Sequence, residues 1–307
     1  MINLPRTVVI ISLVTLLGAC ATLIPIKLGP IEEVTIESTP DQMKRGEYLA
    51  NNVMFCIHCH SQQNLDYFAT PVIKGTEGMG GTEYVESVGT IYASNITPAA
   101  LGSWTDGELI RAIAEGVNKN GEPLFPIMPS QRYRNMDKED LFAVVAYIKS
   151  LKPIKNSVPQ KKLKFPFKHI ERTFPQPYEP FQATDPADQV AHGRYLATIA
   201  DCISCHTPMT KTGKPVPGME LAGGYEFPLH SGGTVRAVNI TPDPATGIGD
   251  WDEDYFIERF KEYGNGEYIK VDGKDNTVMP WISFAGMTEA DLKAIYAFLQ
   301  SVKPIVN

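Results

Sequence analysis

Apolar residues recur at helical spacing in two distant parts of the chain. Between Asp137 and Pro153, five apolar residues share one helical face: Leu141, Val144, Val145, Ile148 and Leu151. The stretch between Thr288 and Pro304 has the same pattern, and both stretches begin at a good N-cap and stop at a proline. No stretch alternates long enough to predict a sheet, so the pattern predicts an all-α fold.

The chain is an internal duplication. Motifs occur twice in the same order: residues 46–50 recur at 193–197, 56–60 at 202–206, 95–98 at 239–242, and Trp104, Met128 and Pro129 at Trp251, Met279 and Pro280. Two copies at such a long period indicate two similar domains. We predict one domain over 40–153 and another over 187–307.

Each copy is expected to contain three main helices. A first helix is expected from Pro40 to Cys56, with its counterpart beginning near Asp188. A middle helix is expected over 106–117 and again over 252–263. Residues 154–186 differ, because they are rich in proline and carry a net charge of +3. They predict a semi-rigid linker between the two domains.

The N-terminus predicts export. Arg6 precedes an apolar run over 8–17 that is short for a membrane span, and the run ends in Leu-Gly-Ala before Cys20. This ending resembles the lipobox of bacterial lipoproteins. We therefore expect cleavage after residue 19, lipidation of Cys20, a tether over 20–39, and a lipid-anchored protein on the periplasmic face of a bacterial membrane. The alternative is an ordinary signal peptide or an uncleaved anchor.

The other four cysteines form two Cys-X-X-Cys-His motifs. Cys56, Cys59 and His60 make the first motif, and Cys202, Cys205 and His206 make the second. This pattern is typical of covalent haem c attachment, in which two thiols form thioethers and the next histidine binds the iron. A redox-active cysteine pair needs no following histidine, and a zinc site needs its ligands to converge within one domain. The motifs thus favour two covalently bound haem c groups.

A second axial ligand is expected from methionine. Met128 and Met279 occupy equivalent loops, each followed by a proline that stiffens the backbone. Met136 and Met287 form a rival pair at the mouth of the final helices, where a core role is natural. We favour Met128 and Met279.

Taken together, these motifs resemble class I cytochrome c, and more narrowly the cytochrome c subunits of membrane-bound alcohol and gluconate dehydrogenases. The resemblance implies two tandem cytochrome c domains that bind haem through the residues named above. Those subunits typically carry three haem domains, whereas this chain has two. The family also packs its first and last helices crosswise, which implies close contacts of Gly46 with Tyr147 and of Gly193 with Tyr296.

The resemblance implies an electron carrier that passes electrons from a dehydrogenase partner toward the respiratory chain, with a dehydrogenase subunit or an oxidase as its redox partner. The alternative is a dihaem redox enzyme of peroxidase-like or thiosulfate-oxidising type, which needs an open or exchangeable iron position. The chain carries a net charge of −7 and has no basic face, so we expect no nucleic-acid partner.

Overall fold

The computed structural model describes residues 27–181, 185, 187–210, 213–229, 232–272 and 275–307. The predicted signal peptide and Cys20 lie outside these residues. Helices dominate the described part, and none of its helices combines the length and apolar character needed to cross a membrane. Buried apolar side chains from both repeats join in one continuous core cluster.

The first repeat contains six α-helices: α1 (Pro40–Tyr48), α2 (Cys56–Cys59), α3 (Pro98–Leu101), α4 (Asp106–Ile110), α5 (Ser130–Tyr133) and α6 (Lys138–Ser150). Thr39 caps α1, and Thr105 forms a reciprocal capping box with Glu108 at the start of α4. Helices α1 and α4 continue as π-helical turns over Leu49–Val53 and Arg111–Glu115.

The linker carries helix α7 (Phe167–Ile170) and a 3₁₀ turn over Glu171–Thr173. It packs against the first repeat instead of hanging free. The Lys161 ammonium bonds to the Pro123 carbonyl at 2.6 Å and pairs with Glu171. The Tyr178 hydroxyl donates to the Met136 carbonyl at 3.1 Å. The described part of the linker therefore lies along the first repeat and is bound to it, and we call it the strap.

The described part of the second repeat contains five α-helices: α8 (Gln189–Ile199), α9 (Cys202–Cys205), α10 (Glu253–Lys261), α11 (Trp281–Ala285) and α12 (Glu289–Ser301). Asp188, Asp252 and Thr288 cap α8, α10 and α12 through side-chain oxygens that accept backbone N–H bonds. The order of first, attachment, middle and final helix is the same as in the first repeat.

The prediction of an all-α fold is wrong in one respect, because two small antiparallel sheets are present. One contains β1 (Glu83–Glu86), β2 (Gly89–Tyr92) and β3 (Lys162–Leu163), and the other contains β4 (Glu226–Pro228) and β5 (Thr234–Arg236). Each strand has four residues or fewer. Runs this short give too little alternation to stand out in a sequence.

The first and final helices of each repeat cross at a glycine. A Cβ placed on Gly46 would lie 1.9 Å from the Ala143 carbonyl oxygen, and one on Gly193 would lie 1.8 Å from that of Ala294. Only glycine permits this approach. Gly46 also faces the Tyr147 Cβ, as the resemblance implied. The nearest atoms to a Cβ on Gly193 belong to Ala294 and Ile295, and the Tyr296 hydroxyl donates to the Trp251 carbonyl at 2.8 Å.

The two Asn-Ile-Thr-Pro motifs fasten the chain that follows each final helix. The Asn95 side chain accepts hydrogen bonds from the backbone and hydroxyl of Thr97 and donates to the Ile154 carbonyl at 2.8 Å. Asn239 bonds in the same way to Thr241 and to Ile305. We call each arrangement an Asn–Thr latch.

The repeats meet through a reciprocal polar cluster. Asp140, near the start of α6, binds Arg45 of its own repeat and the Tyr195 hydroxyl of the second repeat. Asp291, in the equivalent position of α12, binds His192 of its own repeat and the Tyr48 hydroxyl of the first. These contacts are related by an approximate twofold axis, which is the arrangement of an isologous dimer interface.

Candidate haem sites

Each pair of motif cysteines lies on a single helical turn. In α2 and α9 the two cysteines are three residues apart, so their side chains point to one side of the turn. The residue before each turn, Phe55 or Asp201, has a left-handed backbone with φ of 42° or 55°. A left-handed residue ends the preceding helix and turns the motif in a new direction. None of these four cysteines forms a disulfide.

The motif thiols are held in the neutral form. The four cysteines are partly exposed as residues, but burial of their thiols raises the pKa of Cys56 and Cys202 to about 12. Burial likewise raises the pKa of Cys59 to about 11 and that of Cys205 to about 12. Reactive redox cysteines have lowered pKa values. The surroundings of these thiols are therefore unlike those of a thioredoxin-type pair.

The motif histidines are oriented by matched hydrogen bonds. His60 Nδ1 lies 2.7 Å from the Ser94 carbonyl oxygen, and His206 Nδ1 lies 2.8 Å from that of Val238. Burial lowers the pKa of both imidazoles, which favours the neutral, ligating form. An Nδ1–H bonded to a carbonyl leaves Nε2 as the metal-binding atom. Two thiols followed by a histidine held in this way fit the requirements of haem c.

A glycine packs directly on each peptide whose carbonyl accepts the hydrogen bond of the motif histidine. The Gly80 amide donates to the His60 carbonyl at 2.8 Å, and the Gly223 amide donates to the His206 carbonyl at 2.6 Å. A Cβ on Gly80 would lie 2.5 Å from the Ser94 carbonyl carbon, and a Cβ on Gly223 would lie 2.4 Å from that of Val238. Each glycine therefore lets the chain close tightly around the carbonyl that orients the histidine.

Met128 and Met279 stand at matching turns. The Ser130 amide donates to the Met128 carbonyl at 2.7 Å, and the Trp281 amide donates to the Met279 carbonyl at 2.8 Å. The prolines between them have φ of −79° and ψ of 49° or 58°, as in inverse γ-turns. Both methionine side chains are only partly buried. Their role as axial ligands stays a prediction.

The rival methionines lie in the core. Met136 is 0% exposed and Met287 is 1% exposed, and both belong to the main apolar cluster. Such full enclosure by protein atoms is what a core-filling methionine requires. The structure therefore favours Met128 and Met279 over this pair as candidates for a ligand at a cofactor surface.

The attachment segment of each repeat touches the other repeat. Arg132 of α5 reaches Asp201 and Ser204 at 3.3 Å each, beside the second motif. At the equivalent place beside the first motif, Phe55 packs edge-to-face on Phe284 of α11, with centroids 5.7 Å apart. The first contact is an ion pair and the second is apolar, so the two attachment segments have different electrostatic surroundings.

Sequence reasoning missed the histidine acceptors because they are backbone carbonyls. One indication was available, since Ser94 and Val238 immediately precede the repeated Asn-Ile-Thr-Pro motifs. The latches hold the segments that supply these carbonyls. Cys20 cannot be placed, as it lies outside the described residues. Among the residues that are described, no group of three or more His, Cys, Asp or Glu side chains is arranged to hold a metal ion.

The helical repeats, the attachment turns and the oriented histidines together define a c-type cytochrome, a class of protein that carries electrons on covalently bound haem. Comparison with known proteins agrees. Residues 190–303 match the cytochrome c family model and belong to that family. The resemblance predicted from the motifs is thereby confirmed.

Several curated relatives are cytochrome subunits. The chain is 30% identical over 291 residues to the cytochrome c subunit of the quinone alcohol dehydrogenase of Gluconacetobacter polyoxogenes, covering 88% of this chain and 58% of the relative. It is 30% identical to the fructose dehydrogenase cytochrome subunit of Gluconobacter japonicus, covering 90% and 56%. A dihaem c-type cytochrome of Cereibacter sphaeroides is 26% identical, with 81% and 82% covered. The chain thus spans less than two thirds of the dehydrogenase subunits that it matches.

Proposed function

We propose that this chain is a dihaem c-type cytochrome that transfers electrons and has no catalytic site of its own. The observation that carries the proposal is the matched hydrogen bond from each motif histidine to a backbone carbonyl, His60 to Ser94 and His206 to Val238. Both repeats keep the motif and this hydrogen bond. A chain with one functional site would not need to keep both.

The protein residues have distinct tasks at each proposed site. Cys56 and Cys59, or Cys202 and Cys205, would hold the porphyrin through thioethers, while His60 or His206 would present Nε2 to the iron. When bound, haem supplies an iron that accepts and releases one electron. The hydrogen bond at Nδ1 fixes the ring orientation and increases the basicity of the ligand nitrogen. The protein therefore keeps the ligand geometry ready in both oxidation states.

The Met-Pro turns support a carrier more than an enzyme. Both repeats have the same inverse γ-turn after Met128 and Met279. A sixth ligand on each iron leaves no open position for peroxide or another substrate. A carrier also gains from retained ligands, because little then reorganises as the electron moves.

The electron donor is proposed to be a dehydrogenase, and the direction of transfer is toward the respiratory chain. This rests on the relatives, which are named as cytochrome subunits of alcohol, fructose and gluconate dehydrogenases. We propose that the chain works on the periplasmic side of the membrane, where an exported haem protein meets such partners. Purification of the native protein tests this proposal, and we expect a dehydrogenase to copurify.

Membrane attachment is proposed to occur through lipid on Cys20. The described chain after it is bound to the first repeat from residue 29 onward, since Arg111 donates to the Gly29 carbonyl at 2.6 Å. The Ile36 amide also donates to the Asp106 carboxylate at 2.7 Å. Even fully extended, the nine residues from Cys20 to Gly29 reach about 32 Å at most. Lipid on Cys20 would thus keep the first repeat close to the membrane surface.

The haem proposal is tested by counting covalent haem. Full-length protein expressed with a haem c maturation system should carry two haems by intact-protein mass spectrometry. Cys59→Ala and Cys205→Ala should each reduce covalent haem by one. Wild-type protein with one haem or none overturns the dihaem assignment.

The ligand and carrier proposals are tested by spectroscopy. Oxidised protein should show the near-infrared methionine–iron charge-transfer band. Met128→Ala and Met279→Ala should each remove about half of it, while Met136→Ala and Met287→Ala should keep it. Ready binding of carbon monoxide or peroxide by wild-type protein would instead favour the dihaem enzyme.

A further inference from the structure

The loop that leads to Met279 is held by the first repeat. Its described residues are 263–272 and 275–278, and we call it the Met279 loop. The Phe68 amide donates to the Ile269 carbonyl at 2.8 Å, and the Val271 amide donates to the Asp66 carbonyl at 3.0 Å. Residues 65–69, which follow the first attachment motif, thus pair with this loop of the other repeat.

Aromatic contacts strengthen the same junction. The rings of Phe68 and Tyr263 are stacked, with centroids 5.4 Å apart and an interplanar angle of 26°. The rings of Tyr67 and Tyr268 meet edge-to-face at 6.1 Å. Offset-stacked and edge-to-face arrangements are the favourable ones for aromatic pairs. The junction is therefore packed as well as hydrogen-bonded.

The Asn276 side chain joins the Met279 loop to residues 65–69 through both its amide oxygen and its amide nitrogen. Its Oδ1 accepts from the Ala69 amide at 2.9 Å and from the Thr277 amide at 2.8 Å. Its Nδ2 donates to the Tyr67 carbonyl at 3.0 Å and, more weakly, to the Leu65 carbonyl at 3.4 Å. Ala69 has a left-handed backbone at this junction, with φ of 54°.

A further hydrogen bond continues from Asn276 to the candidate ligand. The Thr277 hydroxyl accepts from the Met279 amide at 3.1 Å. Two adjacent side chains therefore link the backbone of the first repeat to the backbone of Met279. The position of this methionine depends on contacts outside its own repeat.

The first repeat holds its methionine differently. The position equivalent to Asn276 is Phe125, which packs on Phe174 of the linker with centroids 6.0 Å apart. The Leu124 amide donates to the Gly116 carbonyl at 2.8 Å within the same repeat. Met128 is thus supported by its own repeat and by the strap.

We infer that Asn276 is a positioning residue for the second haem site, which holds Met279 in ligating position through the first repeat. This inference rests on the proposed function. It makes sixth-ligand binding at the second haem dependent on docking of the two repeats, whereas binding at the first haem is independent of Asn276.

The test uses the full-length, haem-loaded protein and the near-infrared charge-transfer band. Asn276→Ala should remove about half of the band and open one reduced haem to carbon monoxide, with two haems still attached. Adding Met128→Ala should remove the rest of the band, while adding Met279→Ala should remove no more. Thr277→Val, which keeps the side-chain shape but loses the acceptor for the Met279 amide, should cause a smaller loss of the same kind.

Asn265→Ala is the matched control, because Asn265 lies in the same loop and its Oδ1 accepts a local hydrogen bond from the Glu267 amide at 2.9 Å. It should keep the full band. Asn276→Ala and Thr277→Val proteins that both retain the full band overturn the inference while leaving the proposed function standing. A band that falls to zero in Asn276→Ala also overturns it, since the effect is then not specific to one haem. Wild-type protein with two haems but no band removes the methionine assignment and the inference together.

Discussion

The Tyr48 hydroxyl in the first repeat donates a hydrogen bond to the Asp291 carboxylate in the second, at an O···O distance of 2.5 Å. The same hydroxyl accepts from the Thr288 amide at the cap of α12, at 3.1 Å. Tyr195 makes the reciprocal pair of contacts with Asp140 and with the Asp137 amide. Each tyrosine therefore binds the final helix of the other repeat at two points.

Removal of these hydroxyls should weaken the association of the repeats. Tyr48→Phe and Tyr195→Phe each remove one donor from a largely buried carboxylate that still binds His192 or Arg45, so each should lower the free energy of unfolding by about 1.5–3 kcal/mol. Urea unfolding followed by circular dichroism measures the effect. Tyr92→Phe is the control, because its hydroxyl bonds to Glu83 on an exposed hairpin and its loss should have a much smaller effect on stability. Equal effects for all three variants would contradict a special role for the interface pairs.

Crowding at Gly80 should disturb the orientation of His60. Gly80 has φ of 70°, and an added Cβ would collide with the Ser94–Asn95 peptide. Gly80→Ala should weaken the bond from His60 Nδ1 and so raise the reduction potential of the first haem, because a less basic imidazole donates less charge to iron. Spectroelectrochemical titration should show two redox transitions, of which one shifts to a higher potential than in the wild type and the other does not.

Gly121→Ala separates this effect from backbone strain. Gly121 has φ of 78° and nothing within 4 Å of an added Cβ, so the substitution should cost only about 1–2 kcal/mol of left-handed strain. Both potentials should stay unchanged in this variant. If Gly121→Ala shifts a potential as much as Gly80→Ala does, the collision is not the cause.

Asp201 should make stability depend on pH. Burial raises the pKa of its carboxyl from 3.8 to about 6, against the opposing effects of Ser204 and Arg132. The native state then holds the proton more tightly than the unfolded state does. Stability is therefore highest below about pH 4 for this group and falls as pH rises toward 6, by up to about 1.4 kcal/mol per pH unit.

Asp201→Asn should abolish this contribution. The difference in the free energy of unfolding between wild type and variant should change by about 2.4 kcal/mol between pH 4 and pH 7, in the direction that penalises wild type at higher pH. Urea titrations at several pH values measure this difference. A difference that does not vary with pH would show that the carboxyl keeps an ordinary pKa.

Lipidation of Cys20 is tested by Cys20→Ser. Loss of the acyl chains should release the protein into the soluble periplasmic fraction or leave the signal peptide uncleaved, because stable anchoring by this route requires the lipid. Cell fractionation and N-terminal mass determination report the outcome. A processed variant that remains wholly with the membrane would point to another anchor.

Local sequence signals predicted much of the fold. The N-caps Asp137 and Thr288 and the final helices behind them are where the pattern placed them. The Asp140 and Asp291 carboxylates lie one turn into these helices, where they could complete approximate capping boxes. They instead bind Arg45 and His192 of their own repeats and the tyrosines across the interface. A carboxylate one turn into a helix can either cap that helix or bind residues at the interface, and only the packing of the two repeats decides between these roles.

The sequence predicted the candidate sites about as completely as it predicted the fold. Cysteine spacing fixes the attachment segments, because two thiols and a histidine must face one porphyrin. The carbonyls of Ser94 and Val238 could not be predicted from residue type, since every residue has a carbonyl. The contacts that hold Met279 were equally hidden, because the first repeat has Phe125 at the position of Asn276 and the bonds of Asn276 join residues more than 200 positions apart.

The approximate twofold axis has a consequence for how the two sites can differ. In a dimer of identical chains, every residue near the twofold axis occurs once in each chain, so the two haem sites have identical surroundings. Here the equivalent positions hold Arg45 and His192, Phe55 and Asp201, or Phe125 and Asn276. Covalent fusion of the copies keeps the shared interface while allowing each centre its own charges and supports.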